Sequence, residues 1–92
     1  MHILIAEDDT DMQKILKLYL QKDGYVVSVV SNGKEAIAFL SEHVVDLVLL
    51  DWMMPIQDGI QTCRDIRQLH IPTKILMLTA KGENEDEVQG LT

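Results

Sequence analysis

Four polar side chains in this 92-residue chain stand at the ends of apolar runs: Glu7 and Asp8 follow HILIA, Asp51 ends LVLLD, and Thr79 follows KILML. Three carboxylates gathered in one place repel one another, which raises their pKa values unless a cation neutralises them. Hard oxygen ligands with room for water suit Mg²⁺. A carboxylate beside such an ion can attack phosphorus and form an acyl phosphate, and a hydroxyl such as that of Thr79 can hydrogen-bond a phosphate oxygen. The plainer reading of an acid after a strand is a cap on the next helix. That reading is preferred for Asp9 and Asp58. It is weaker for Asp51, because the apolar run leads straight into it and Pro55 delays the helix that follows.

This chemistry depends on elements that bring the four residues together. His2 to Ala6 reads as a short strand that acids stop abruptly. Met12, Ile15, Leu16, Tyr19 and Leu20 recur at the spacing of one helical face, with Asp9 or Thr10 as the cap and Asp23-Gly24 as the stop. Tyr25 to Val30 is β-branched and aromatic, hence a strand. Ser31-Asn32-Gly33 turns the chain into a second helix with Ala36, Ile37 and Leu40 as its inner stripe. Asp46 to Asp51 has the near-continuous apolar interior of a parallel strand buried on both faces. Pro55 and Gly59 break the chain before a third helix carrying Ile60, Cys63 and Ile66, which Ile71-Pro72 ends. Lys74 to Leu78 is a fourth strand, and the acids from Glu83 suit the first turn of a fourth helix.

The order β-α-β-α-β-α-β-(α) predicts right-handed crossovers and a parallel sheet with helices on both faces. In such sheets chemistry collects beyond the carboxyl ends of the strands, at the switch point in strand order. Glu7, Asp8, Asp51 and Thr79 are all delivered to that edge.

Composition narrows the partners. Hydrophobic residues at 47% are enough for a core, and charged residues at 25% are ordinary for a soluble domain. Fifteen acidic against eight basic residues give a formal charge of −7. This argues against the segment gripping nucleic acid itself, which needs clustered Lys and Arg. No apolar stretch reaches the roughly 18 residues that a membrane-spanning helix requires. Met1 leads directly into a strand without the basic flank of a signal peptide. The single cysteine, Cys63, cannot form an internal disulfide, so a cytoplasmic setting is expected.

AEDD after the first strand, LLDWMMP around Asp51 and LTAKGENEDEVQGL after the fourth together resemble the receiver domains of two-component response regulators. The resemblance spans the whole chain. It implies an α/β, flavodoxin-like fold in three layers, α/β/α, with strand order 2-1-3-4-5 in the full domain. It also implies that Asp51 is the phosphoacceptor, with Glu7 and Asp8 as the acidic pair. Asp8 and Asp51 would touch Mg²⁺ together with the backbone carbonyl of Met53, and Glu7 would reach it through water. Thr79 would be the switch hydroxyl and Ala80 the small residue beside the phosphate. The implied donor is a phosphohistidine on a sensor histidine kinase. DWMMP and TAKGENEDEV are most similar to the OmpR/PhoB class, in which a winged-helix DNA-binding domain follows the receiver. DNA contact and transcriptional control are thus expected of a parent protein through its own output domain.

The family pattern continues into a fifth strand and helix, with a phosphate-pairing lysine at the end of that strand, whereas this sequence ends at Thr92. Residues 1–92 are accordingly expected to be an incomplete receiver that binds Mg²⁺ but accepts phosphate poorly. Lys81 reads as a solvated loop lysine. The fourth strand is expected to present an open sheet edge, inviting a homo-oligomer or an exchange of elements between chains. His2, His43 and His70 show no metal-ligand spacing, and Cys63 reads as core. Trp52, Met53 and Met54 either shape access to Asp51 or simply pack. Three other classes compete. An aspartate-nucleophile phosphohydrolase usually places an Asp-x-Asp pair after its first strand, where this chain has adjacent acids. A flavin- or nucleotide-binding module would need a glycine-rich loop there. A degenerate receiver would serve protein contacts alone.

Overall fold

Period-two alternation decides which side of the sheet each strand residue faces, and helices then cover both sides. The fold is that of a computed structural model, which describes residues 1–51 and 59–78. Its elements in order are β1 (His2–Ala6), α1 (Thr10–Lys22), β2 (Val26–Val30), α2 (Gly33–Glu42), β3 (Leu47–Asp51), α3 (Gly59–Gln68) and β4 (Lys74–Leu78). β1 and β4 occupy the residues expected of them. β2 and β3 each begin one residue late: Tyr25 N is taken up by the α1 stop, and the chain bends at Asp46, although Asp46 N still donates to His2 O and its carbonyl accepts from Lys74 N. Asp58, the expected cap of α3, and the helix expected from Glu83 lie outside the described residues.

All pairings are parallel, and the strand order is β2-β1-β3-β4. This is the described part of the expected order, with helices on both faces. Leu4, Ala6, Val48, Leu50, Ile75 and Met77 face one side, where they pack with Ala36 and Leu40 of α2 and Ile66 of α3. Ile3, Ile5, Val27 and Leu49 face the other side, where Leu16 and Leu20 of α1 lie against them.

Local chemistry sets the helix ends. α1 stops in a Schellman turn: Tyr25 N donates to Leu20 O at 3.2 Å and Gly24 N to Gln21 O at 2.9 Å. Gly24 has a φ of 94°, which a side chain would strain. α3 ends in the same pattern, with Ile71 N on Ile66 O and His70 N on Arg67 O, but there the left-handed position (φ 57°) is occupied by His70. α2 starts with Asn32 Oδ1 accepting from Glu35 N at 2.9 Å, while Glu35 Oε1 accepts from Ser31 N at 2.7 Å.

Two helical stripes differ from expectation. Met12, Ile15 and Tyr19 remain 41%, 49% and 67% exposed, so only Leu16 and Leu20 of the predicted α1 face meet the sheet. On α3 the inner positions are Gly59, Thr62 and Ile66; Ile60 is exposed and Cys63 only half-buried against the core. Both corrections have one cause. Each helix is set on the sheet with its inner arc rotated from the apolar stripe. On α3 Thr62 therefore lies inward and Ile60 outward, and on α1 Leu16 and Leu20 lie inward with Met12, Ile15 and Tyr19 outward.

Candidate functional site

The strand order reverses at β1, which has β2 on one side and β3 on the other. Ala6, the last residue of β1, is in register with Val30 of β2 and Leu50 of β3. Glu7 and Asp8 therefore leave the sheet beside Asp51, across the switch point of a parallel sheet.

Backbone contacts hold this corner. Glu7 N donates to Val30 O at 3.1 Å, which carries the β1–β2 ladder one residue past the strand. Asp9 N donates to Glu7 Oε2 at 3.1 Å. The Asp9 carboxylate accepts from Asp11 N at 2.9 Å and from Met12 N at 3.4 Å, so Asp9 is the cap of α1, as expected. The Gln13 side-chain amide donates to the Glu7 carbonyl oxygen.

Carboxylate oxygens of Glu7, Asp8 and Asp51 lie within 4.8 Å of one another. Glu7 and Asp51 are 6% and 8% exposed, and Asp8 faces solvent. Burial pushes the Glu7 carboxyl up to about 7; the hydrogen bond from Asp9 N opposes this, while the side-chain bond to Asp51, its charge and Asp8 add to it. Three carboxylates this close, two of them buried, leave the corner short of positive charge. Its donor set is three carboxylates with no His or Cys, which fits a hard divalent cation of the Mg²⁺ kind. No other converging trio of His, Cys, Asp or Glu occurs among the described residues.

The structure thus brings together three of the residues singled out from sequence, Glu7, Asp8 and Asp51. Met53, Thr79 and Ala80 lie outside the described residues, as do Trp52, Met54 and Lys81. The histidines are elsewhere. His2 and His43 bracket Phe39, with ring centroids at 5.7 Å and 4.1 Å, and His70 closes α3. Sequence reasoning missed Gln13. The available signal was a polar residue on the same helical arc as Leu16 and Leu20.

With this geometry in place, comparison with known proteins is informative. The family model for the response regulator receiver domain matches residues 3–92. Transcriptional regulatory protein ResD of Bacillus subtilis is 47% identical over 88 residues, covering 96% of this chain and 36% of ResD. Transcriptional regulatory protein CpxR of Klebsiella pneumoniae is 44% identical over 89 residues, covering 97% of this chain and 38% of CpxR. The chain therefore spans little more than a third of the length of these relatives. Among solved structures, the receiver domain of Francisella response regulator 1452 superposes with a TM-score of 0.88 at 30% identity, over 97% of this chain and 74% of that one. Response regulator TrrA of Thermotoga maritima, solved in complex with Mg²⁺-BeF, gives a TM-score of 0.82 at 35% identity over 86% of this chain and 69% of its own. The flavodoxin-like fold, the acidic corner at the switch point and these matches agree: this chain belongs to the response regulator receiver domain family, whose members are regulatory phosphoacceptor domains rather than enzymes in the usual sense.

Proposed function

We propose that Asp51 accepts the phosphoryl group, and that Asp8, Asp51 and the Met53 carbonyl hold Mg²⁺, with Glu7 reaching it through water. The observation that carries this reading is the convergence of Glu7, Asp8 and Asp51 within 4.8 Å at the switch point. An Asp51 oxygen attacks phosphorus; the P–N bond of a donor phosphohistidine breaks as the new P–O bond forms, and the leaving imidazole takes up a proton. Mg²⁺ supplies neutralisation of charge on the acids and on the transferred oxygens. Thr79 offers its hydroxyl to one of those oxygens, and Ala80 leaves room beside the group.

A sensor histidine kinase is the donor in this reading, and the domain acts in the cytoplasm. Relatives named as transcriptional regulatory proteins support an OmpR/PhoB-like parent whose own output domain contacts DNA. Residues 1–92 form the larger part of one receiver domain in this reading, consistent with the 74% of the Francisella receiver chain that they match. Among the described strands β4 pairs only with β3, which supports self-association through the β4 edge. No helix among the described residues is long and apolar enough to cross a membrane. The adjacent acids after β1, in place of an Asp-x-Asp pair, disfavour a phosphohydrolase.

Beryllofluoride mimics a phosphoryl group on a carboxylate and tests the assignment. With Mg²⁺, a ¹⁹F NMR signal from a bound adduct is expected for this chain, absent in Asp51→Asn. An adduct that survives Asp51→Asn contradicts the assignment. No adduct on the parent protein's full receiver favours a degenerate receiver instead.

A further inference from the structure

We propose that Gln13 is a positioning residue for the acidic corner: its side-chain amide holds the Glu7–Asp8 peptide so that the Asp8 carboxylate stays beside Asp51. The inference rests on the reading of this corner as a cation site. Gln13 sits on the arc of α1 that faces the sheet, with Leu16 and Leu20, and is half-buried there. Its Nε2 donates to the Glu7 carbonyl oxygen.

The Asp8 side chain meets the Glu7 carboxyl, but the other backbone ties at this corner stop short of Asp8. Val30 O holds Glu7 N, Asp9 N holds the Glu7 carboxylate, and the Asp9 carboxylate holds the first turn of α1. The Glu7 carbonyl belongs to the peptide unit that ends at the Asp8 Cα. That unit is planar, so fixing its oxygen fixes the plane from which the Asp8 side chain departs. Asp8 is also the exposed member of the trio, and the one that mutual repulsion can push outward into water. Gln13 opposes that drift from the inner face of the helix, so the site stays assembled before a cation arrives. Preorganisation of this kind appears as affinity, because an unassembled site must be ordered on binding.

Binding of Mg²⁺ alone, by isothermal titration calorimetry at pH 8, tests this on the parent, Gln13→Ala, Gln13→Glu and Gln13→Lys, with Asp8→Asn as the site control. Ala and Glu remove the donor, whereas Lys keeps one. Affinity is expected to fall about three- to tenfold in Gln13→Ala and Gln13→Glu and to stay within about twofold of the parent in Gln13→Lys. Simple electrostatics predicts the reverse for the charged pair: Glu tightens the site and Lys weakens it. That reverse order overturns the proposal. So does unchanged affinity in both Ala and Glu variants while Asp8→Asn loses binding, since the site is then real and Gln13 idle in it. So, too, does an equal loss of affinity in Ile66→Val, a remote variant chosen to destabilise the fold to a similar degree. If the parent binds no Mg²⁺, or Asp8→Asn binds it as well as the parent does, the reading of the corner itself fails and the inference with it.

Discussion

On the α2 and α3 side of the sheet, ten buried residues among those described form one cluster, and Ala36, Leu40 and Ile66 enter it from the helices. On the α1 side the cluster has four buried residues, all from strands, and α1 buries none of its own residues outright. α1 is held at its N-terminus instead, by the Asp9 cap and the Gln13 contact to Glu7. One face is thus fixed by extensive apolar burial, the other by a smaller apolar contact through Leu16 and Leu20 together with polar ties around the acidic corner. The difference separates two tasks: the α2 and α3 face supplies stability, while the α1 face presents the loop that carries the carboxylates.

The largest expected effect falls on the well-packed face. Ile66→Ala removes a side chain with no exposure and should cost about 2–5 kcal/mol in urea denaturation. A cost below about 1 kcal/mol would break the distinction between the faces.

Next in size is a pH effect at the corner. The Glu7 carboxyl titrates near 7 in the folded chain against an ordinary 4.5, so between those values the folded state holds the extra proton. Its contribution to metal-free stability is complete below about 4.5 and is lost as pH rises through about 7. Glu7→Gln should therefore be more stable than the parent at pH 8 without divalent cations, and equal to it at pH 4.5. A parent as stable as Glu7→Gln at pH 8 would mean that the ionised Glu7 carries no burial cost.

Smaller still is the end of α3, where His70 holds a left-handed conformation that costs a side-chain residue about 1 kcal/mol. His70→Gly should raise the urea midpoint, by an amount equivalent to about 0.5–1 kcal/mol. An unchanged or lowered midpoint would show that the strain is compensated locally. The smallest effect belongs to the sparse face. Ile15→Ala, at a position 49% exposed, should change stability by no more than about 0.5 kcal/mol. A loss comparable with that of Ile66→Ala would mean that the α1 face is as well covered as the other.

The acidic corner was readable from sequence because each strand run ends abruptly at a charge. HILIA stops at Glu7 and LVLL stops at Asp51, and parallel topology places both ends on one edge. The Asp9 cap and the Gly24 stop were equally plain, since few residue types suit those positions. Burial within the helices was less readable. Met12, Ile15 and Tyr19 have the spacing of an inner face, yet what covers a helix depends on its neighbours in space. Thr62 is completely buried and Ile60 exposed, because the turn of α3 over the sheet, not residue polarity, decides which side chain points inward. Gln13 was half-readable: its place on the arc of Leu16 and Leu20 is visible in the spacing, but its partner, a backbone carbonyl, is not marked by any residue type.

The central claim, that Asp51 is the acceptor in a cation-dependent site, is tested most directly by locating the covalent bond. The chain is incubated with Mg²⁺ and acetyl phosphate, the acyl phosphate is trapped by borohydride reduction, and the reduced residue is identified by peptide mass spectrometry. Reduction is expected at Asp51 alone, in low yield because residues 1–92 are expected to accept phosphate poorly, and should disappear when the divalent cation is chelated. Reduction at another residue, or at Asp51 regardless of the cation, would contradict the account.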